Sequence, residues 1–206
     1  MSKALLICNG ETTARWLRPL IKETNFILAA DGGANKALAA GIVPDAVIGD
    51  LDSVSPRTRR FLKDVPFIHV KRQDNTDLEK ALDWLVKQNF TDCMIVGATG
   101  GRLDFTLGNI LAALPYVTQI NIEFLGPTWR LIPLVHTYRF YARKGARCSL
   151  IPLTPCQSVT LTGVKYRVTN ENWDARHIGR TLSNQITAAK SEIRFSEGTM
   201  LLYIEN

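Results

Sequence analysis

Residues 26–41 run Phe26-Ile27-Leu28-Ala29-Ala30-Asp31-Gly32-Gly33-Ala34-Asn35-Lys36-Ala37-Leu38-Ala39-Ala40-Gly41, and this stretch decides the fold. A short apolar run ends at Asp-Gly-Gly, and an alanine-rich segment follows and stops at a glycine. Phe26–Ala30 reads as a buried strand and Ala34–Ala40 as a helix with Gly41 past its end. Strand, turn and helix in so few residues make one half of a strand–helix–strand crossover, the unit of a parallel sheet.

The same alternation extends in both directions. Upstream, Ala4–Cys8 is a short strand ending at Asn9-Gly10, and Thr12–Glu23 places Trp16, Leu17, Leu20 and Ile21 at helical spacing. Downstream, Ala46–Ile48 is a strand running into Gly49-Asp50. Ser55-Pro56 reads as an N-cap with proline at the first helical position, and Phe67–Val70 is a further strand. Thr76-Asp77-Leu78-Glu79 is a capping box that opens a helix with Leu78, Leu82 and Leu85 on one stripe. Met94–Val96 is a strand, Asp104–Leu114 a helix stopped by Pro115, and Ile120–Leu125 the last strand of this half. The expected fold is an α/β N-terminal domain with a mostly parallel sheet covered by helices on both faces.

After Gly126-Pro127 the pattern changes. Tyr138–Ala142, Arg147–Ile151, Ser158–Leu161, Gln185–Ala189, Glu192–Phe195 and Thr199–Ile204 read as short strands between turns, with no convincing helix. That pattern predicts a smaller all-β domain. The boundary falls near residues 126–133, giving domains of residues 1–126 and 127–206.

At 46% hydrophobic and 21% charged residues, the chain has a globular rather than a disordered balance. No apolar run approaches the ~20 residues that span a bilayer, and the N-terminal run is too short for a signal peptide. Cys8, Cys93, Cys148 and Cys156 form no C-x-x-C pair, so buried free thiols and a cytoplasmic location are expected. Residues 1–125 carry 14 basic and 14 acidic side chains. Residues 126–206 carry 11 and 5, the whole net charge of +6. That excess suits an anionic substrate such as ATP or a plain solvated face. No basic run interleaved with aromatics exists, so nucleic acid is not an expected partner.

Ligands of open parallel sheets bind beyond the C-terminal ends of the strands. Four polar clusters fall there. Asp31 precedes two glycines, which is also ordinary turn chemistry. Asp50 and Asp52 stand two apart; on extended backbone both carboxylates point one way, a pairing that a hard divalent ion such as Mg²⁺ would relieve. Gln73, Asp74, Thr76 and Asp77 surround the start of the capping-box helix, where the helix dipole favours Asp77 with or without a ligand, and where phosphate can bind free N–H groups with the Thr76 hydroxyl beside them. Lys71 and Arg72 lie just upstream. Gly100, Gly101 and Arg102 make a glycine-rich turn with a phosphate-gripping fork, and Asp104 is a candidate helix cap or ligand contact. The turn is neither a dinucleotide fingerprint nor a Walker loop. His69, His136 and His177 stand in unrelated contexts, so zinc and hydrolytic triads are not indicated.

Together, Ala30-Asp31-Gly32-Gly33-Ala34, Pro44-Asp45 with Gly49-Asp50-Leu51-Asp52-Ser53, Asp74-Asn75-Thr76-Asp77-Leu78-Glu79-Lys80-Ala81 and Gly100-Gly101-Arg102-Leu103-Asp104 resemble the ordered motifs of the thiamine pyrophosphokinase family. Gly163-Val164-Lys165-Tyr166 and Ser183-Asn184 resemble two of its C-terminal signatures. The resemblance implies transfer of diphosphate from ATP to the hydroxyl of thiamine. It also implies a β-sandwich C-terminal domain for thiamine binding and dimerisation, and a homodimer with active sites between subunits. It puts Asp31, Asp50, Asp52 and Asp77 at the Mg²⁺–ATP site, with Asp50, Asp52 and Asp77 catalytic. Gln73, Asp74, Thr76, Gly100, Gly101, Arg102 and Asp104 become ATP contacts or their neighbours, and Tyr166 and Ser183 thiamine contacts. Phe105 stands where many relatives have histidine, and Gln185 where an acidic residue is common. The rival readings are a pyrophosphokinase for another alcohol, such as a hydroxymethyl-pterin, and a non-enzymatic thiamine or nucleotide sensor.

Overall fold

The computed structural model describes residues 2–71 and 74–206 and divides into two compact units, Met1–Leu125 and Gly126–Asn206.

In the first unit, β1 (Lys3–Ile7), β2 (Phe26–Ala30), β3 (Ala46–Gly49), β4 (Phe67–His69), β5 (Asp92–Val96) and β6 (Asn121–Leu125) form a parallel array in the order β6-β5-β1-β2-β3-β4. The register Leu5↔Ile27 and Leu5↔Met94 sets alternate residues on common faces. One face gathers Leu5, Ile7, Ile27, Met94 and Val96 under Leu17 of α1 (Ala14–Ile21) and Ala37 of α2 (Gly33–Ala39). Further along it, Ala29 and Val47 pack with Ala34 and with Leu62, which caps α3 (Pro56–Phe61). On the opposite face Leu6, Leu28, Ile48, Ile95 and Phe124 are fully buried, and α4 (Asp77–Lys87) packs against β2 and β3. Burial on both faces explains the unbroken apolar runs in the sequence; each such side chain contributes about 1.5–3 kcal/mol. A Cβ on Gly33 would lie 1.9 Å from the Ile7 carbonyl oxygen, so only glycine lets α2 start this close to β1.

From β1 the chain steps to β2, β3 and β4 on one side, then returns to β5 on the other. The strand order therefore reverses between β1 and β5, the kind of switch point beyond whose carboxyl ends open parallel sheets bind ligands. The Gly10 N–H donates to the Gly97 carbonyl at 2.7 Å and joins the loops that follow β1 and β5. The glycine-rich turn after β5 leads into α5 (Leu103–Ala113).

In the second unit, β7 (Trp129–Leu134), β9 (Arg147–Pro152), β12 (Asn184–Gln185) and β14 (Met200–Glu205) pair antiparallel in the order β12-β9-β14-β7. A second antiparallel sheet has the order β11-β10-β13-β8, with β8 Tyr138–Tyr141, β10 Cys156–Thr162, β11 Val168–Trp173 and β13 Lys190–Arg194. Leu150, Leu202, Met200, Val159, Leu161, Ile193 and Trp173 fill the core between the sheets. The expectation of no helix here is corrected by one short element. Asp174 caps a turn of 3₁₀-helix over Ala175–His177, and the four-residue α6 (Ile178–Thr181) follows. Among the described residues no helix is long and apolar enough to cross a membrane.

Candidate active site

Asp31 follows the last residue of β2 with a positive φ of 43° and is buried. Its N–H donates to the Ile48 carbonyl at 2.8 Å, and its Oδ1 accepts from the Ser53 N–H at 3.2 Å. Asp50 follows β3, and Asp77 is the first residue of α4. One carboxylate oxygen from each of Asp31, Asp50 and Asp77 lies within 4.8 Å of the others. Three chain-distant aspartates thus converge at the carboxyl edge of β2 and β3. The donors are all hard oxygens, with no histidine, as a magnesium-type ion requires.

Asp52 does not join this group. The reading of Asp50 and Asp52 as a same-side pair needed extended backbone, but Leu51 has φ 69° and turns the chain. The Asp52 N–H instead donates to Asp50 Oδ1 at 3.3 Å, and its exposed carboxylate accepts from the Ser53 hydroxyl at 2.9 Å. The loop is pinned from outside. Asn35 Nδ2 donates to the Ser53 carbonyl (2.8 Å), the Ser55 N–H donates to Asn35 Oδ1 (3.1 Å), and the Arg59 guanidinium donates to the Leu51 carbonyl.

Lys80 was not singled out from the sequence. It is 4% exposed, and with Asp31 it is one of two buried charged side chains among the described residues. Its Nζ lies 2.9 Å from Asp77 Oδ1 and 3.6 Å from Asp50 Oδ2. The signal was the spacing Asp77-x-x-Lys80, which on a helix brings the two together but is common on solvated faces. Burial raises the Asp77 pKa, opposed by the Lys80 ammonium and reinforced by Asp50 and Asp31. Lys80 has its pKa raised overall: burial alone lowers it, but its bonds and charges with Asp77 and Asp50 prevail, so it stays an ammonium.

Thr76 is the N-cap of α4 in a complete capping box. Its Oγ1 accepts from the Glu79 N–H (3.2 Å), and Glu79 Oε2 accepts from the Thr76 N–H (2.8 Å). The hydroxyl also donates to Glu79 Oε2, so the cap already engages it. Asp74 is exposed and outside the carboxylate group. Neighbouring Asn75 carries a buried side-chain oxygen with no hydrogen-bond partner among the described residues. Arg72 and Gln73 lie outside the described residues.

In the turn after β5, the space around Gly101 is open, and Gly100 packs on the Glu11 side chain. Asp104 does not cap α5; Arg102 occupies the cap position, and Asp104 lies in the first turn. Arg102 grips Asp104 with two bonds (3.1 and 2.6 Å) and stacks 4.3 Å over the Phe105 ring. The arginine fork holds the Asp104 carboxyl below the usual range. Both side chains are exposed.

In the second unit, buried Asn184 ties Tyr166 to β12. Its Oδ1 accepts from the Tyr166 N–H at 3.0 Å, and its Nδ2 donates to the Tyr166 carbonyl at 2.8 Å. The Tyr166 ring is 60% exposed beside the Lys165 ammonium. Ser183, with φ 58°, donates its N–H to Ser149 Oγ at 3.0 Å. A cleft of about 450 Å³ opens here, lined by Tyr166, Arg167, Trp173, Arg180 and Asn184, though not by Ser183.

Known proteins match along this whole arrangement. A family model described as thiamin pyrophosphokinase, catalytic domain, matches residues 17–124, and one described as thiamin pyrophosphokinase, vitamin B1 binding domain, matches residues 135–200. A thiamine pyrophosphokinase of Bacillus subtilis is 31% identical over 190 residues, covering 87% of each chain. Thiamine pyrophosphokinase 1 of Oryza sativa is 24% identical over 206 residues, covering 85% of this chain and 76% of the relative. The crystal structure of thiamine pyrophosphokinase from Bacillus subtilis superposes with a TM-score of 0.88 at 25% identity, covering 100% of this chain and 99% of that one. That of thiamin pyrophosphokinase from Geobacillus thermodenitrificans gives 0.85 at 27% identity, covering 100% and 98%. With its catalytic half matched around the converging aspartates and its β-domain matched around Tyr166 and Asn184, the chain belongs to the thiamin pyrophosphokinase family.

Proposed function

We infer that this protein is a thiamine diphosphokinase, which transfers a diphosphate group from ATP to the hydroxyl of thiamine and releases AMP. The observation that carries the reading is the convergence of Asp31, Asp50 and Asp77 at one sheet edge, within a chain matched by both family models.

The oxygen-only carboxylate set fits Mg²⁺, which would neutralise phosphate charge there. Asp31, Asp50 and Asp77 would hold it, with exposed Asp52 as the further carboxylate of the same loop. The triphosphate is assigned to the carboxyl ends of the strands at the switch point between β1 and β5. Asp74 and Thr76 at the start of α4, Gly100, Gly101, Arg102 and Asp104 at the opposite loop, and Gln73 are its proposed contacts. Arg102 would exchange its grip on Asp104 for a phosphate, since an arginine fork fits either anion.

The thiamine hydroxyl oxygen forms its new bond to the β-phosphorus. The bond from that phosphorus to the bridging oxygen of the α-phosphate breaks, and AMP departs with the electron pair. Asp77, made more basic by burial, is the proposed acceptor of the hydroxyl proton. Catalysis comes mainly from positioning and charge neutralisation. Tyr166 is proposed to stack on the thiamine ring, with Ser183 as a polar contact.

A cytoplasmic homodimer with active sites between subunits completes the proposal. Its support is the uncovered apolar side of α5, where Leu103, Phe105, Leu107 and Leu111 are each more than half exposed directly after the glycine-rich turn. The test is AMP release from ATP and Mg²⁺, with and without thiamine. Thiamine-dependent AMP and thiamine diphosphate in equal amounts support the reading. Equal turnover with a hydroxymethyl-pterin, or none with either acceptor, would sink it.

A further inference from the structure

Lys80 poses a problem that its helix does not solve. A buried ammonium is costly unless it is paired, and replacing a buried ion pair by apolar side chains is often neutral or stabilising. Yet the two buried charged residues among the described ones, Asp31 and Lys80, both stand at the same cluster. Lys80 Nζ spans two of its three carboxylates, 2.9 Å from Asp77 and 3.6 Å from Asp50. A cation shared between carboxylates is also what a second metal ion supplies in two-metal phosphoryl-transfer sites. By formal count the cluster has three carboxylates, Asp31, Asp50 and Asp77, and one ammonium, Lys80. The remainder of two matches one divalent ion.

We propose that Lys80 is a built-in cation standing in place of a second metal, a positioning residue that limits the carboxylate cluster to one divalent ion and holds Asp50 and Asp77 ready for it. The inference rests on the metal-assisted reading above. Lys80 acts through the carboxylates it touches. Its ammonium is fixed by α4, whose first turn supplies both Asp77 and Lys80, so the spacing between them does not depend on any bound group.

The experiment counts Mn²⁺ bound to the full chain without nucleotide, by the loss of the free-ion electron paramagnetic resonance signal. Wild type is expected to take up one Mn²⁺ per chain and Asp50→Asn none. Lys80→Met, of similar length but uncharged, should take up a second ion or bind one about tenfold tighter, and Lys80→Arg should restore wild-type behaviour. The Mn²⁺-induced rise in melting temperature should be larger in Lys80→Met than in wild type. Two ions on the wild type, or a single ion of unchanged affinity on Lys80→Met, overturn the role of Lys80 and leave the diphosphokinase reading standing. No Mn²⁺ on the wild type overturns the metal site of the carboxylates and the role of Lys80 with it, while thiamine-dependent AMP release separately decides the diphosphokinase reading. If Lys80→Met fails to fold, Lys80→Gln is counted in its place with the same two outcomes.

Discussion

A methyl group on the Gly49 Cα would stand 3.1 Å from Asp77 Oδ1. The same carbon would lie 3.0 Å from Asp31 Cβ, and Gly49 has φ 146°, a conformation that side chains rarely adopt. The end of β3 is thus bare so that carboxylates from β2 and α4 can close over it. Gly49→Ala should cost roughly 1–3 kcal/mol in strain and push two of the three aspartates outward. Its kcat/KM should fall further than that stability loss explains once the assay is run well below the variant's melting temperature. A folded Gly49→Ala of normal activity would refute this account of the edge.

The aspartates should separate by two measurements together. Asp31→Asn, Asp50→Asn and Asp77→Asn each remove a converging charge, and kcat should drop by about 10²–10³ or more, on the scale of losing one preorganised electrostatic contact. Asp50→Asn and Asp77→Asn also leave buried Lys80 short of a partner, so both should melt lower. Asp52 makes only local bonds with Asp50 and Ser53. Asp52→Asn should therefore keep the wild-type melting temperature, and its kcat then reads directly how far that exposed carboxylate serves the nucleotide. A melting temperature for Asp52→Asn as low as that of Asp50→Asn would contradict the placement.

Protonation should compete at an unusually high pH. Burial raises the Asp77 pKa, with Asp50 and Asp31 adding to it and Lys80 opposing. For an acid whose folded pKa exceeds its unfolded one, the folded state holds the proton more tightly. This group's stabilising share is therefore greatest at low pH and is lost as pH rises from the unfolded value through the folded one. Activity runs the other way, because the ionised form is needed. The acid limb of kcat/KM should lie above the ordinary aspartate value of about 3.9, and Lys80→Met, by removing the opposing ammonium, should move it higher still. A limb that stays put in Lys80→Met would show that another group sets it.

Much of this arrangement is legible in the sequence because it is local. The Asp-Gly-Gly turn, the capping box at Thr76 and the Ser55-Pro56 helix start depend on neighbours a few residues away, and each stands where its residues put it. What stays hidden depends on distant packing or on weak patterns. Strand β7 contains Pro133, which lacks an N–H and reads as linker, yet it pairs with Leu201. Strand β11 is Val168-Thr169-Asn170-Glu171-Asn172-Trp173, too polar to announce itself and broken in register against β10. Lys80 is an ordinary surface residue until α4 settles on β2 and β3. The same-side pairing of Asp50 and Asp52 is undone by a single left-handed residue, Leu51, that no propensity for leucine would foretell.

The four cysteines should be silent in the folded protein. All are buried and free. Burial, with the Asp77 charge adding to it, pushes Cys8 up to about 12, and burial alone pushes Cys148 to about 11. Cys93 and Cys156 are raised for the same first reason. Little thiolate exists near pH 8, and the thiolate is the reactive form. Iodoacetamide at pH 8 should leave the native chain unmodified by mass spectrometry and add four groups after denaturation. Rapid native labelling of Cys8 would mean that the β1 end opens beside the carboxylates.

The thiamine contacts proposed within the β-domain turn on Asn184. Its side-chain oxygen accepts from both the Tyr166 and Gln185 N–H groups (3.0 and 2.8 Å), and its amide donates to the Tyr166 carbonyl (2.8 Å). Asn184→Ala strands these backbone groups and should cost about 1–3 kcal/mol, the penalty of leaving buried partners unsatisfied. Tyr166→Ala removes a ring that is 60% exposed and should hardly change the melting temperature. If that ring stacks on the acceptor, both variants should raise KM for thiamine by about tenfold, on the scale of one stacking contact, with KM for ATP unchanged. An unaltered thiamine KM in stable Tyr166→Ala would remove Tyr166 from the site, and Asn184 would then be only a clasp within the β-domain.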